Sequence, residues 1–378
     1  SKIPDGVPKM AAMLVGYFSY DVIRYVEKIP DGCIDDLEIP DVRLSRPNSL
    51  IIYDNLKKKI YFIENVYGDT KVKNYFEKYQ SVIRNFEIFQ DYSNIKLPIK
   101  FSHHKNKNKI KSNISKSKFK NYVKKAKKYI AKGDIFQVVL SQRFERKINK
   151  TPLEIYNHLR LSNPSPFMFY FNFDDFKILG SSPEILVRLR NNKVTIRPIA
   201  GTRPRGNSKA QDLKYKNELL KDKKELSEHL MLLDLGRNDV GKVSKINTVK
   251  VTESFNVEKY SHVMHIVSNV EGEFNSKNTV FETLLSGFPA GTVSGAPKIR
   301  AMEIIDKLEK NKRKLYAGGI GYFTSSKEFD TCITLRTALI KNNKFYVQSG
   351  AGIVADSVPE KEYQETVNKA KALMKAVD

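Results

Sequence analysis

Only two cysteines, Cys33 and Cys332, occur among 378 residues. They cannot build a disulfide framework and have no metal-ligand spacing, which points to a reducing, cytoplasmic setting. No uninterrupted apolar run approaches the ~20 residues that span a bilayer, so no membrane partner is expected. The opening Ser1-Lys-Ile-Pro-Asp-Gly has no apolar h-region and reads against a secretory signal. A start on Ser in place of Met is expected of a processed product or a fragment. Histidine is scarce, with six in the chain, and His103 and His104 fall in a stretch read as a solvated loop. Acidic residues are outnumbered, 42 Asp+Glu against 66 Lys+Arg, for a net charge of +24. That excess makes nucleic-acid binding the non-enzymatic alternative. No finger, RNP or helix-turn-helix signature accompanies it, so no nucleic-acid partner is expected.

Hydrophobic residues make up 40% of the chain, a globular composition with room for two domains and a substantial core. The basic excess is densest over residues 96–132. There Phe119, Tyr122, Val123, Ala126, Tyr129 and Ile130 recur at helical spacing between a Ser115 or Ser117 cap and a Gly133 stop, giving an amphipathic helix with a lysine-rich outer face. Residues 97–114 have linker composition. The chain therefore divides into a partial N-terminal region plus linker (1–114) and a continuous unit (115–378). Expected strands include 12–20, 49–55, 59–64, 136–144, 167–173, 185–189, 193–198, 320–324, 331–339 and 345–348. Expected helices include 71–87, 153–161, 211–235, 297–307 and 359–376. Strands and helices come in runs without strict βαβ alternation and without an internal repeat, which favours an α+β fold.

Two Glu-x-x-Glu pairs carry the first chemical signal: Glu225 with Glu228, and Glu362 with Glu365. Residues three apart share a helix face, so each pair projects its carboxylates together. If the two helices face each other, the oxygens suit Mg2+ or Ca2+ over zinc; otherwise they are two solvated acidic faces. Ser357-Val-Pro-Glu360 reads as a capping box opening the last helix, and Lys369 lies one turn after Glu365. Gly291-Thr-Val-Ser-Gly-Ala-Pro-Lys298, Ser349-Gly-Ala-Gly-Ile353 and Gly201-Thr-Arg-Pro-Arg-Gly206 are small-residue turns able to present N–H groups to an anion. None has phosphate-loop spacing. Arg336 suits a carboxylate. His265 is either a hydrogen-bonded core residue or a proton carrier at neutral pH. Glu184, at a turn entering a strand, is able to act as a general acid if burial raises its pKa.

Taken in order, Pro198-Ile-Ala-Gly-Thr-Arg-Pro-Arg-Gly, Glu225-Leu-Ser-Glu-His-Leu-Met-Leu-Leu-Asp-Leu-Gly-Arg-Asn-Asp239, Tyr260-Ser-His-Val-Met-His265, the Gly291 turn, Asp330-Thr-Cys-Ile-Thr-Leu-Arg-Thr-Ala and Gln348-Ser-Gly-Ala-Gly-Ile resemble the chorismate-utilising enzymes. The resemblance covers nearly the whole chain and is nearest to the anthranilate synthase large-subunit branch. It implies large β-sheets in a sandwich with helices outside, and chorismate as substrate. It implies Mg2+ on Glu228 and Glu365, with Glu225 and Glu362 nearby, holding the ring carboxylate. Tyr316, Arg336, the backbone of Gly350, Ala351 and Gly352, and Lys369 would hold carboxylates, with Gly201 and Thr202 at the ring. Thr292 and His265 would border the reacting ring, His265 as a candidate base, and Glu184 would protonate the departing 4-hydroxyl.

Ala200 stands where aminodeoxychorismate synthases often carry Lys, and isochorismate and salicylate synthases place a lysine base elsewhere. These remain the alternatives to anthranilate formation. No Gly-x-Cys-x-Gly nucleophile turn is present, so ammonia is expected from a separate glutamine amidotransferase subunit, anthranilate synthase component II. The Leu-Glu-Ser half of the family's tryptophan site is missing, leaving Pro166, Phe167 and Met168 as a partial inhibitor site.

Overall fold

The computed structural model describes residues 3–68, 72–93, 108–260 and 263–378. His103 and His104, most of the expected linker, and Ser261 and His262 lie outside these. Two large antiparallel sheets dominate. One runs in the order Ile199–Pro204, Val263–Glu273, Lys193–Ile196, Ile185–Arg190, Phe329–Ile333, Gly319–Thr324, Met13–Phe18 and Val42–Ser45, with Lys250–Lys259 added on Val263–Glu273. The other runs Gly295–Ala296, Gln137–Lys147, Lys344–Ile353, Thr337–Lys341, Phe176–Ser182 and Phe167–Asn172, with Lys111–Ser112 added on Gln137–Lys147. The class is α+β, as the run-wise order of elements implies.

The sheets meet face to face through one apolar layer. Tyr17, Ile320 and Cys332 from the first sheet pack with Phe176, Ile178 and Leu339 from the second. Phe173 and Phe176 set their rings edge-on to Tyr17, both at 6.1 Å. Such pairs add to the burial of apolar area that drives the sheets together. Helices cover the outer faces. Lys116–Ala131 is capped by Ser115, whose side chain accepts from Lys118 N–H, and buries Phe119, Tyr122, Val123 and Ala126. This is the apolar stripe of the sequence, laid against Pro359–Met374 and the strand Gln137–Lys147.

Several expected elements are divided. The run 331–339 is two strands, Phe329–Ile333 in one sheet and Thr337–Lys341 in the other, and the chain changes sheets between them. The neighbouring run does the same, from Phe176–Ser182 to Ile185–Arg190. Helix 211–235 is broken into Lys209–Leu219 and Lys223–Gly241, because Asp222 turns its carboxylate onto the N–H groups of Lys224 and Glu225 and starts a new helix. The last helix lacks the expected capping box: its N-cap is Val358, Ser357 Oγ accepts from Val354 N–H, and Glu360 pairs with Lys116 and Lys120 instead.

Residue 114 is not a sheet boundary. Met13–Phe18 pairs with Gly319–Thr324 over six positions. Among the described strands, Ser49–Asp54 and Lys59–Glu64 form a separate hairpin outside both large sheets, with the helix Val72–Ser93 on it.

Phe176 is 0% exposed at the centre of the layer between the sheets. Phe176→Ala is expected to cost about 3–5 kcal/mol through lost burial and the cavity left behind. Urea unfolding measures it, and a loss below about 1 kcal/mol would contradict this packing.

Candidate active site

The two sheet changes place the first pair of functional groups. Glu184 sits in one and Arg336 in the other, and the two are stitched together. Ser181 N–H donates to Arg336 O (3.1 Å), Ile333 N–H to Glu184 O (3.0 Å), and Ser182 Oγ to Ile333 O (2.7 Å). Arg336 adopts φ 47°, a left-handed conformation costly for a long side chain and held by these bonds. Both lie outside the strands proper, and their charges bear on one another. Glu184 is 5% exposed, and burial pushes its carboxyl up to about 8 against the opposing pull of the Thr292 hydroxyl, Ile199 N–H and Arg336. Thr292 Oγ1 lies 3.2 Å from Glu184 Oε1. The acid is thus protonated at neutral pH and able to give a proton away.

His265 and the Gly201 turn form the adjoining wall. Ile199–Pro204 is a strand, not a free loop, with a bulge between Ala200 and Thr202. Gly201 there has φ +67°, which suits glycine. Its carbonyl lies 3.0 Å from His265 Nδ1, with Thr202 Oγ1 at 3.1 Å. A carbonyl only accepts, so Nδ1 carries the hydrogen and Nε2 keeps its lone pair. Burial lowers the imidazole pKa, which keeps it neutral and basic. Tyr260 sets its ring against it, centroids 5.5 Å apart.

Lys344–Ile353 supplies the floor. Ala351 is buried and offers the cleft only backbone, while its glycine neighbours give clearance. A Cβ on Gly350 would lie 2.5 Å from Tyr316 Oη, and one on Gly352 2.5 Å from Gln137 Nε2. Burial raises the Tyr316 phenol, keeping it a donor for a carboxylate. Lys369 spans the edge, donating to Gly350 O at 3.1 Å and pairing with Glu365 at 2.6 Å, the i,i+4 contact expected from sequence.

The four glutamates divide among local partners. Glu228 accepts from Gln137 Nε2 at 2.8 Å, Glu225 faces Arg203 at 3.4 Å, and Glu365 turns to Lys369. Among the described residues no three Asp, Glu, His or Cys side chains are grouped as a metal cage. Like charges separate, and each carboxylate takes the nearest donor. The donor set nevertheless fits a hard divalent ion. All four are carboxylates on two helices, and Lys224 of one helix bears on Glu362 of the other. Burial and the charge of the partner glutamate raise both Glu225 and Glu362, a repulsion that a cation relieves.

Gln137 was not legible as a site residue. It is 3% exposed, and its Oε1 is buried without a hydrogen-bond partner. The pairing of its strand with Lys344–Ile353 brings it beside Gly352 and Glu228, a placement no local pattern announces. Phe167 and Met168, on the edge strand Phe167–Asn172, face different clusters, Phe167 the layer between the sheets and Met168 the opposite face; Pro166 is exposed.

The sequence pattern of the chorismate binding enzymes matches residues 1–375. Anthranilate synthase component 1 of Cereibacter sphaeroides is 50% identical over 378 residues, covering 100% of this chain and 76% of that protein. The protein of the same description from Acetivibrio thermocellus is 47% identical, covering 98% and 76%. The crystal structure of anthranilate synthase component I from Streptococcus pneumoniae superposes with a TM-score of 0.89 at 38% identity, over 99% of this chain and 82% of that one. The menaquinone-specific isochorismate synthase of Escherichia coli shares the fold, with a TM-score of 0.78 at 22% identity over 98% and 80%.

The raised pKa of Glu184 has a defined sign. Its neutral burial stabilises the fold fully below its ordinary value of 4.5, and that contribution is lost as pH rises through about 8. Thermal unfolding followed from about pH 5 to about pH 9 is expected to show a fall in stability that Glu184→Gln reduces. Identical slopes for the two proteins would mean that Glu184 is not buried in its neutral form.

Proposed function

The chain belongs to the chorismate binding enzyme family, and we propose that it works as an anthranilate synthase large subunit, converting chorismate and ammonia to anthranilate and pyruvate. The observation that carries this reading is the buried, protonated Glu184 beside Thr292, facing the same cleft as Arg336 and a neutral His265. Removal of the 4-hydroxyl as water requires an acid. Rearomatisation requires a base and an anchored carboxylate.

Arg336, Tyr316 and the backbone around Gly350 and Gly352 bind the carboxylates of chorismate, and Lys369 adds positive charge at the rim. Ammonia nitrogen forms a bond to C2 while Glu184 gives its proton to the 4-hydroxyl, which leaves as water. The ammonium so formed gives up one proton, which restores Glu184. In the second step His265 Nε2 takes the proton from C2, the bond from C3 to the enolpyruvyl oxygen breaks with its electron pair on oxygen, and the released enolate takes up that proton to become pyruvate. Thr292 orients the Glu184 carboxyl, and Gly201 O fixes the His265 tautomer. Glu228 and Glu365, with Glu225 and Glu362 nearby, would hold Mg2+, which would supply positive charge for the ring carboxylate. Ammonia comes from a glutamine amidotransferase partner, and the setting is the cytoplasm. No helix among the described residues is long and apolar enough to cross a membrane. Ala200 offers no amine to compete at the ring, in keeping with ammonia as the nucleophile.

Chorismate, Mg2+ and ammonium at alkaline pH are expected to give a blue-fluorescent product with anthranilate's chromatographic mobility, and one pyruvate each. EDTA stops it. Glu228→Gln and Glu365→Gln are expected to lower turnover by at least about tenfold. Isochorismate or 4-amino-4-deoxychorismate as the product would overturn the reading.

A further inference from the structure

Arg313 lies outside every motif considered above, yet three walls of the cleft converge on it. Its side chain is 1% exposed, and that of its partner Glu309 is 5% exposed. Nε donates to Glu309 Oε2 at 2.9 Å and Nη2 to Glu309 Oε1 at 2.6 Å. Two further hydrogens go to backbone carbonyls, from Nη1 to Val293 O at 2.8 Å and from Nη2 to Val139 O at 2.7 Å. Val293 follows Thr292, whose hydroxyl holds Glu184. Val139 is the sheet partner of Gly352. The guanidinium also lies 5.4 Å from the centroid of the Tyr316 ring, with Tyr20 at 5.0 Å. Glu309 Oε1 extends the cluster, accepting from Ser141 N–H and Oγ at 2.8 and 2.9 Å, and Ser141 is the sheet partner of Gly350.

We propose that Arg313, fixed by Glu309, is a positioning residue for the reaction: one planar cation sets the spacing between Thr292, the strand bearing Gly350 and Gly352, and Tyr316. It touches neither substrate nor metal ligand in this account and acts through the groups it holds. Lysine cannot replace it, because a single ammonium cannot satisfy a carboxylate and two diverging carbonyls in the fixed fork of a guanidinium. A buried charge that served stability alone would be a poor choice, since a well-packed apolar pair often does as well. The inference rests on the proposed chorismate reaction.

Arg313→Lys and Glu309→Gln test it by the split between KM and kcat, with thermal unfolding as the control. A residue that only stabilises the fold lowers the active fraction, and so kcat, at constant KM. A positioning residue moves both: KM for chorismate is expected to rise about tenfold in Arg313→Lys and kcat to fall by a similar factor, since small misplacements at a reacting centre are amplified. In the Tyr316→Phe background the KM effect of Arg313→Lys is expected to shrink, because part of it passes through that phenol. If Arg313→Lys does not fold, Glu309→Gln decides, being isosteric and still able to accept from Ser141; a KM within twofold of the parent overturns the proposal. Wild-type protein that makes no anthranilate would overturn the functional reading instead, so the two failures are told apart.

Discussion

The site depends on one constraint: two neighbouring strands leave one sheet and enter the other at the same place. A strand that changes sheets loses its ladder partners, and buried backbone groups left without partners are costly. Here each crossing supplies what the other lacks, with Ser181 N–H and Ile333 N–H donating across and Ser182 Oγ closing the gap. The crossings are therefore rigid although they belong to neither sheet. Rigidity allows Arg336 its left-handed backbone and allows Glu184 to be buried at the same level.

Around that pair the charges are graded. The interior keeps its acid and its base neutral, Glu184 through burial and His265 through burial and a carbonyl on Nδ1. Charge is left at the rim, on the two glutamate pairs and Lys369. The arrangement follows from desolvation, since a charge is held more cheaply where water still reaches it. Arg336 and Arg313 are the exceptions, and Arg313 gives its two backbone hydrogen bonds to elements that bear a site residue or pair with one. Buried charge is in that case an organising device, with Glu309 offsetting its desolvation.

Elements with a strong period were legible. The stripe from Phe119 to Ile130 became a helix over Lys116–Ala131, with Ser115 as its cap. The ordered motifs likewise pointed to the chorismate binding enzyme family, whose sequence pattern matches residues 1–375. What the sequence concealed was every feature decided by a remote partner. Residues 331–339 read as one strand, and nothing local reveals that the sheet changes at Arg336. Ser357 and Glu360 have capping-box spacing, but Val354 N–H and two lysines of another helix compete for them more effectively. Arg313 reads as one cation in the basic run Lys312-Arg-Lys314, while in three dimensions its neighbours reach Asp31, Asp35 and Asp41 and it turns to Glu309 and the backbone of Val293 and Val139.

Arg336 also bears on selectivity. Among the described residues no ion pair engages it; burial depresses its pKa, and only Tyr260 and the largely neutral Glu184 bear on it electrostatically. The resting cleft thus holds an uncompensated cation stripped of much of its water. A visiting molecule is sorted by its ionic state before its shape is read. The carboxamide of the same ring would occupy nearly the same volume yet leave the guanidinium dehydrated and without a counter-charge, so discrimination against uncharged look-alikes is inherent in the site.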